Sequence, residues 1–307
     1  MSVEYQKIRD EDAGQRLDNF LLRTLKGVPK SRIYRAIRGG EVRINKKRCK
    51  AETRLQEDDE VRIPPIRRSE QPVINQVSPR LRELLESRIL IEDNNVLIIN
   101  KPAGIPVHGG SNVSLGLIEA MRQLRPHCKF LELVHRLDRG TSGCLMMAKK
   151  RSVLTRMQEW LKTKQIKKRY WTLVKGQWQG DVKRCDLPLA KNQLQSGERI
   201  VRVDRNGKQA ITIFRPLKIF KDMTLVEATL KTGRTHQIRV HLQHLGYPIA
   251  GDDKYGDREF NRLMKSRGLD RMFLQAMELA YRDHETLFGV CSLLDKELDL
   301  ILQKNKI

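Results

Sequence analysis

Two short, uninterrupted apolar runs constrain this chain more than any other feature of it. Around Val96–Ile99 and Cys144–Ala148 hydrophobic residues follow one another without a break. Their lengths suit a strand and fall far short of the ~18 residues a membrane-spanning helix needs. Amphipathic helices stand among such strands. Val153, Leu154, Met157, Trp160 and Leu161 mark one, and Ile238, Leu242 and Leu245 mark another that Gly246 closes. Phe130–Val134, Tyr170–Val174 and Thr224–Leu230 read as further strands, and Ile200–Phe214 as a hairpin around Asn206-Gly207. The pattern predicts an α+β domain over residues 79–307, built on a mixed, largely antiparallel sheet.

A smaller unit precedes it, over residues 14–66. Leu17, Phe20, Leu21 and Leu25 recur at helical spacing until Gly27 and Pro29 interrupt them. Ser31 is the expected N-cap of a second short helix with Ile33 and Ile37 as its apolar stripe, and Gly39-Gly40 stops it. Val42 and Ile44 alternate with Arg43, as Val61 and Ile63 do with Arg62, so two helices on a small sheet are expected. Lys30, Arg32, Arg35 and Arg38 line the polar side of the second helix, and Lys46, Lys47 and Arg48 crowd the turn at Asn45-Lys46. Residues 67–78 are polar, contain Pro72 and lack periodicity, which reads as a linker.

Charge narrows the partners. Sixty Lys and Arg against 37 Asp and Glu leave the chain at +23. The excess is concentrated: residues 23–50 carry eleven basic side chains and one acid, and residues 149–184 carry twelve and two. Clustering of this kind suits a polyanion, because cations that neutralise phosphates release condensed counterions. A membrane surface fits less well, since neither segment forms a long amphipathic anchor. The first fifteen residues contain acids and no apolar core of a leader, so a cytoplasmic protein is expected. Five scattered cysteines without C-x-x-C spacing fit a reducing compartment.

The most informative stretch is VHRLDRGTSG, Val134–Gly143, a polar loop between two apolar strands. Asp138 lies between Arg136 and Arg139. On spacing alone such an acid is far more often part of a structural salt bridge than an active carboxylate, although an electropositive surround is what a carboxylate nucleophile or base needs against an anionic substrate. A second cluster, KTGRTHQIRVHLQHLG, sets Arg239 among the apolar residues of its helix, where an arginine often anchors a partly buried acid. Its histidines, His236, His241 and His244, lack zinc-site spacing, so no metal is expected. Phosphate-binding glycine loops and G-x-S-x-G are missing from the sequence, which argues against ATP, NAD and serine hydrolysis.

These stretches resemble known families. AGQRLDNFL, PKSRIYRAIRGGEVRINKK and DDEVRIP are similar to the S4 RNA-binding domain, which implies binding of structured RNA. NKPAGIPVH (Asn100–His108), HRLDRGTSG, the K-x-Y of Lys168-Arg169-Tyr170, GRTHQIRVH (Gly233–His241) and PIAGDDKYG (Pro248–Gly256) resemble, in order, the motifs of the RluA family of pseudouridine synthases. With the S4 unit ahead, and with FLELVHRLDR and LQSGERIVRV, the resemblance extends to members that modify uridines of bacterial 23S rRNA. It implies a monomeric isomerase without cofactor, acting on 23S rRNA or a large-subunit precursor. Asp138 would be the catalytic carboxylate, abstracting the C2′ proton to give a glycal or attacking the sugar covalently. Arg239 would pair with it, and Tyr170 would stack on the uracil and could take the proton from C5. Arg136 would contact the RNA or fill the space left by a flipped base, while Lys101 and His108 would shape the pocket floor. The sequence departs from the family at Leu274-Gln275-Ala276, where a histidine is usual, and after His284, where a proline is. Three alternatives remain open: a catalytically silent ribosome-assembly factor, a uracil-releasing glycosidase, and a synthase acting on tRNA.

Overall fold

The computed structural model describes residues 3–25, 27–66, 76–109, 115–193, 199–283 and 286–304. The chain divides into two compact units, Met1–Gln76 with Gly110–Leu115, and Val77–Gly109 with Gly116–Ile307. Most of the expected linker (67–75), part of LQSGERIVRV (194–198) and His284-Glu285 lie outside the described residues.

In the first unit, helices α1 (Leu17–Thr24) and α2 (Lys30–Arg38) accompany strands β1 (Glu4–Lys7), β2 (Arg43–Ile44), β3 (Lys47–Arg48) and β4 (Glu60–Ile63). The strands form an antiparallel sheet in the order β1-β4-β2-β3, so pairing begins ahead of residue 14. Leu17, Phe20 and Leu21 from α1 meet Ile33, Ala36 and Ile37 from α2 in one apolar cluster with Val42, Val61 and Ile63. Asn45 and Lys46 both take positive φ, 48° and 65°, as a two-residue turn between β2 and β3 requires. Ser31 is not the N-cap of α2. Pro29 holds that position in extended backbone, and Ser31 already lies inside the helix.

The second unit holds helices α3 (Pro79–Glu86), α4 (Leu117–Leu124), α5 (Arg151–Lys162), α6 (Gln237–His244), α7 (Arg258–Ser266) and α8 (Lys296–Lys304). Its first strands are β5 (Ile89–Glu92), β6 (Val96–Lys101), β7 (Glu132–Leu133), β8 (Ser142–Ala148), β9 (Lys167–Lys175) and β10 (Lys183–Asp186). They are followed by β11 (Leu189–Gln193), β12 (Arg199–Val203), β13 (Ile211–Ile219), β14 (Met223–Leu230), β15 (Leu274–Asp283) and β16 (Thr286–Cys291). Ten strands form one sheet, in the order β10-β13-β14-β9-β15-β8-β6-β5 with β16 on β15 and β7 on β8; β15 with β8 is its parallel pair. The two apolar runs of the sequence are β6 and β8, neighbours in the sheet and buried along their full length, which is why neither alternates. One face of this pair, with Val96, Ile98, Cys144 and Met146, packs on Val153, Leu154 and Met157 of α5.

Two expectations need correction. Only Glu132–Leu133 of the Phe130–Val134 run pairs as a strand. Ile200–Phe214 is no hairpin, because β12 pairs with β11 in a separate two-stranded sheet while β13 pairs with β10 and β14. Asn206-Gly207 does form a turn, closed by Gly207 N–H on Asp204 O at 2.8 Å, but it leads from one sheet into the other. Among the described residues no helix is long and apolar enough to cross a membrane.

Candidate active site

Asp138 stands in the loop before β8, and three clamps fix that loop. The turn after β6 grips its middle: Lys101, wholly buried, donates its ammonium to the carbonyls of Pro102 and Ile105 (both 2.8 Å) and Arg139 (3.3 Å). Gly104 N–H also donates to Arg139 O at 2.8 Å, and Arg139 Nε returns a bond to Gly104 O at 2.9 Å. Strand β15 grips the far end. Gly143, at φ 107°, lies so close that a Cβ there would meet Ala276 O at 2.2 Å. At the near end His135 Nε2 accepts from Met146 N–H at 3.3 Å, and burial pushes its imidazole down to about 3, which leaves it a neutral strut.

The carboxylate so placed lines a cavity of about 580 Å³ within the second unit. Arg239 Nη1 lies 3.7 Å from Asp138 Oδ2, and His236 Nε2 lies 3.9 Å from the same oxygen. The guanidinium fork of Arg239, however, engages a different acid. Its Nε and Nη2 donate to the two oxygens of Asp252, each at 2.7 Å. Burial would raise the Asp252 carboxyl, but the Arg239 bonds and charge outweigh it and hold it below the ordinary carboxylate range. Arg239 is thereby held rigidly, with its third nitrogen left towards Asp138. The expected pair of Asp138 with Arg239 is thus a looser approach than a bonded fork.

Tyr170 lines the cavity from β9, flanked in register by Ala228 and Ala276, whose small side chains leave room for the ring. Burial, and then the charge of Asp138, pushes its phenol well above the ordinary value, so the hydroxyl keeps its proton. Arg136 is exposed at the same cavity. His108 is exposed and Lys101 sits beneath the loop; neither lines the pocket.

Four residues without an assigned role in the sequence reading shape the site. Asp252, within PIAGDDKYG, fixes Arg239. His236 adopts φ 54° at the start of α6 and bonds through Nδ1 with Tyr255 Oη at 2.8 Å. Burial keeps its imidazole below the ordinary value against the pull of Asp138. Tyr255 Oη accepts from Val201 N–H at 2.9 Å, and Arg239 stacks over the Tyr255 ring, 4.9 Å from its centre. Gln237, buried, accepts from Thr232 Oγ1 and Arg234 N–H and donates to Ile211 O and Thr212 Oγ1, which locks the loop leading into α6. The histidines of this stretch have separate environments: His241 is buried against Thr212 and Leu187, and His244 is exposed.

Residues 95–244 match the family model described as RNA pseudouridylate synthase, and residues 15–61 match the S4 domain. Ribosomal large subunit pseudouridine synthase C of Haemophilus influenzae is 51% identical over 99% of this chain and 95% of its own length. Its namesake in Escherichia coli K12 is 52% identical over 99% and 97%. The chain belongs to the RNA pseudouridylate synthase family. A solved human member, RNA pseudouridylate synthase domain containing 4, superposes with a TM-score of 0.61 at 28% identity, covering 74% of this chain and 96% of that one.

Of the cations expected to bind RNA in the S4 unit, Lys30, Arg35, Arg38, Lys46, Lys47 and Arg48 are exposed. Arg32 is engaged instead by Glu41, through two bonds of 3.1 and 2.8 Å.

Proposed function

We propose that this protein isomerises uridines of 23S rRNA, or of a large-subunit precursor, to pseudouridine, working as a cytoplasmic monomer. The names of its relatives support the substrate class. The observation that carries the chemistry is Asp138, among the described residues the one acidic side chain in the wall of a cavity otherwise rich in cations. In this reading the S4 unit, over residues 14–66, grips folded RNA through Lys30, Arg35, Arg38, Lys46, Lys47 and Arg48, with Arg32 contributing if RNA displaces Glu41. The domain from residue 79 onward does the chemistry. The target uridine leaves its stack, at a cost of a few kcal/mol offset by binding, and Arg136 contacts the RNA beside it.

Asp138 then either removes the C2′ proton or attacks C1′. On both routes the N1–C1′ bond breaks, the uracil turns and C5 bonds to C1′, as Asp138 returns the proton to C2′ on the first route or its ester bond to C1′ breaks on the second; C5 then loses its proton and N1 gains one. Arg239, clamped by Asp252, orients the carboxylate without neutralising it by a direct fork. Tyr170, a neutral phenol, packs on the uracil ring and can accept the C5 proton only by passing on its own.

Tritium release from 23S rRNA carrying 5-tritiated uridine tests this. The native protein releases tritium without free uracil, and Asp138→Asn releases none while retaining RNA affinity. Free uracil would indicate a glycosidase. Preserved binding without release, on both 23S rRNA and tRNA, would indicate an assembly factor.

A further inference from the structure

Among the described residues the cavity wall carries seven cationic side chains against the single acid, and one of these cations stands out. Lys168 lies two residues before Tyr170 on β9 and so projects from the same face of the strand. It is only partly exposed, yet among the described residues its ammonium has no hydrogen-bond or ion-pair partner. Several sheltered cations elsewhere in this unit meet acids: Arg125 meets Glu86 and Glu92, Lys149 meets Glu92, Arg267 meets Asp222, and Arg271 meets Asp295. Burial pushes the Lys168 ammonium below its ordinary value, as expected of a cation lacking a counter-charge. Gly233 borders it, and a Cβ there would lie 3.4 Å from Nζ, so the glycine leaves this end of the side chain uncrowded.

A second lysine adjoins the same cavity at the end of α5. Lys164 takes φ 62°, in a helix stop closed by Gln165 N–H on Trp160 O at 2.8 Å. Glycine is the usual residue there, because a side chain costs on the order of 1 kcal/mol in that conformation. The Lys164 side chain is exposed and also has no partner among the described residues. Lys162, the third lysine of this corner, is already paired with Glu159 at 3.0 Å.

We propose that Lys164 and Lys168 form a phosphate subsite that holds a phosphodiester of the RNA strand beside the flipped uridine. An unpaired, partly buried ammonium binds a phosphate through charge-assisted bonds without first breaking an internal pair. The backbone is then anchored at the α5–β9 corner, while the base faces Tyr170 and Asp138. This inference rests on the proposed RNA substrate and specifies where its backbone runs.

The test uses the full chain and a 23S rRNA transcript. Binding is measured against salt in the Asp138→Asn background, so that its outcome does not depend on turnover; tritium release by the native protein tests the reaction separately. Lys168→Met should lower the salt slope by about 0.7–0.9, one phosphate contact. In the otherwise native chain it should raise KM about tenfold, with kcat changed less than about threefold. Lys168→Arg should restore both values, and Lys164→Ala should move both in the same direction by less. An unchanged slope, or a loss confined to kcat, would overturn the subsite. A normal melting temperature for Lys168→Met and rescue by arginine separate loss of contact from misfolding.

Discussion

At the scale of single residues, the groups beneath the loop that carries Asp138 matter as much as those that line the cavity. Lys101 never reaches the pocket, yet its three carbonyl acceptors tie the turn after β6 to the residue following Asp138. Burial lowers its pKa to about 7 from an ordinary 10.5. Between these values the unfolded chain binds a proton that the native state does not, so this residue makes stability rise with pH across that window. Below about 7 both states hold the proton and the contribution is flat. The unfolding free energy from urea titration should therefore rise between pH 7 and 8.5, by about 1–2 kcal/mol from this residue. Lys101→Met should remove that rise. An equal rise in the variant would mean that the proton is taken up elsewhere.

At the scale of elements, β15 determines where the Asp138 loop ends. It runs parallel to β8, and its backbone presses against Gly143 so closely that no side chain fits. Beside that contact Gln275, which stands where the resemblance implies a histidine, is fully engaged. It accepts from Ser142 Oγ at 3.3 Å and Asp295 N–H at 3.0 Å, and donates to Ser292 Oγ at 3.1 Å and Leu293 O at 2.7 Å. Gln275 thus completes a satisfied polar network against β8. Gly143 and Gly104 make a controlled comparison, since both take positive φ but only Gly143 meets neighbouring backbone. Gly104→Ala should cost about 1–2 kcal/mol, the ordinary cost of that conformation. Gly143→Ala should cost more than about 3 kcal/mol and abolish turnover, because the β8–β15 pairing must open. Equal losses of denaturation midpoint in the two variants would show that conformation alone sets the requirement.

At the scale of the molecule, the charge surplus is carried by two separate compact units, and each can be tested without removing the other. Arg35, Arg38 and Lys47 are exposed on the S4 unit, whereas Arg32 has an internal partner. Replacing those three by alanine in the full chain should lower the salt slope of rRNA binding by about 2. A slope that does not change would assign the grip on RNA to the other unit. The histidines of α6, the apolar stripe of α5 and the basic turn at Asn45-Lys46 all lie where sequence spacing places them, because each depends on contacts a few residues apart.

Local periodicity was enough to identify β6 and β8 as strands, the polar loop between strand segments as the place for Asp138, and α+β as the class. Burial on a helix face or along a covered strand leaves its mark within ten residues. Partners far apart in the chain leave no such mark. That Arg239 gives its fork to Asp252 and only its third nitrogen to Asp138 follows from how α6 and the loop after it close together. Sheet order behaves the same way, as the separation of β12 from β13 illustrates: a turn signal reveals a reversal of the chain but not which strand will supply its hydrogen bonds. Lys168 stands out in the sequence only as the first residue of the K-x-Y stretch, which says nothing of its surroundings. Only the folded cavity shows it sheltered and without a counter-charge, because an unfilled electrostatic requirement is a property of three-dimensional neighbours.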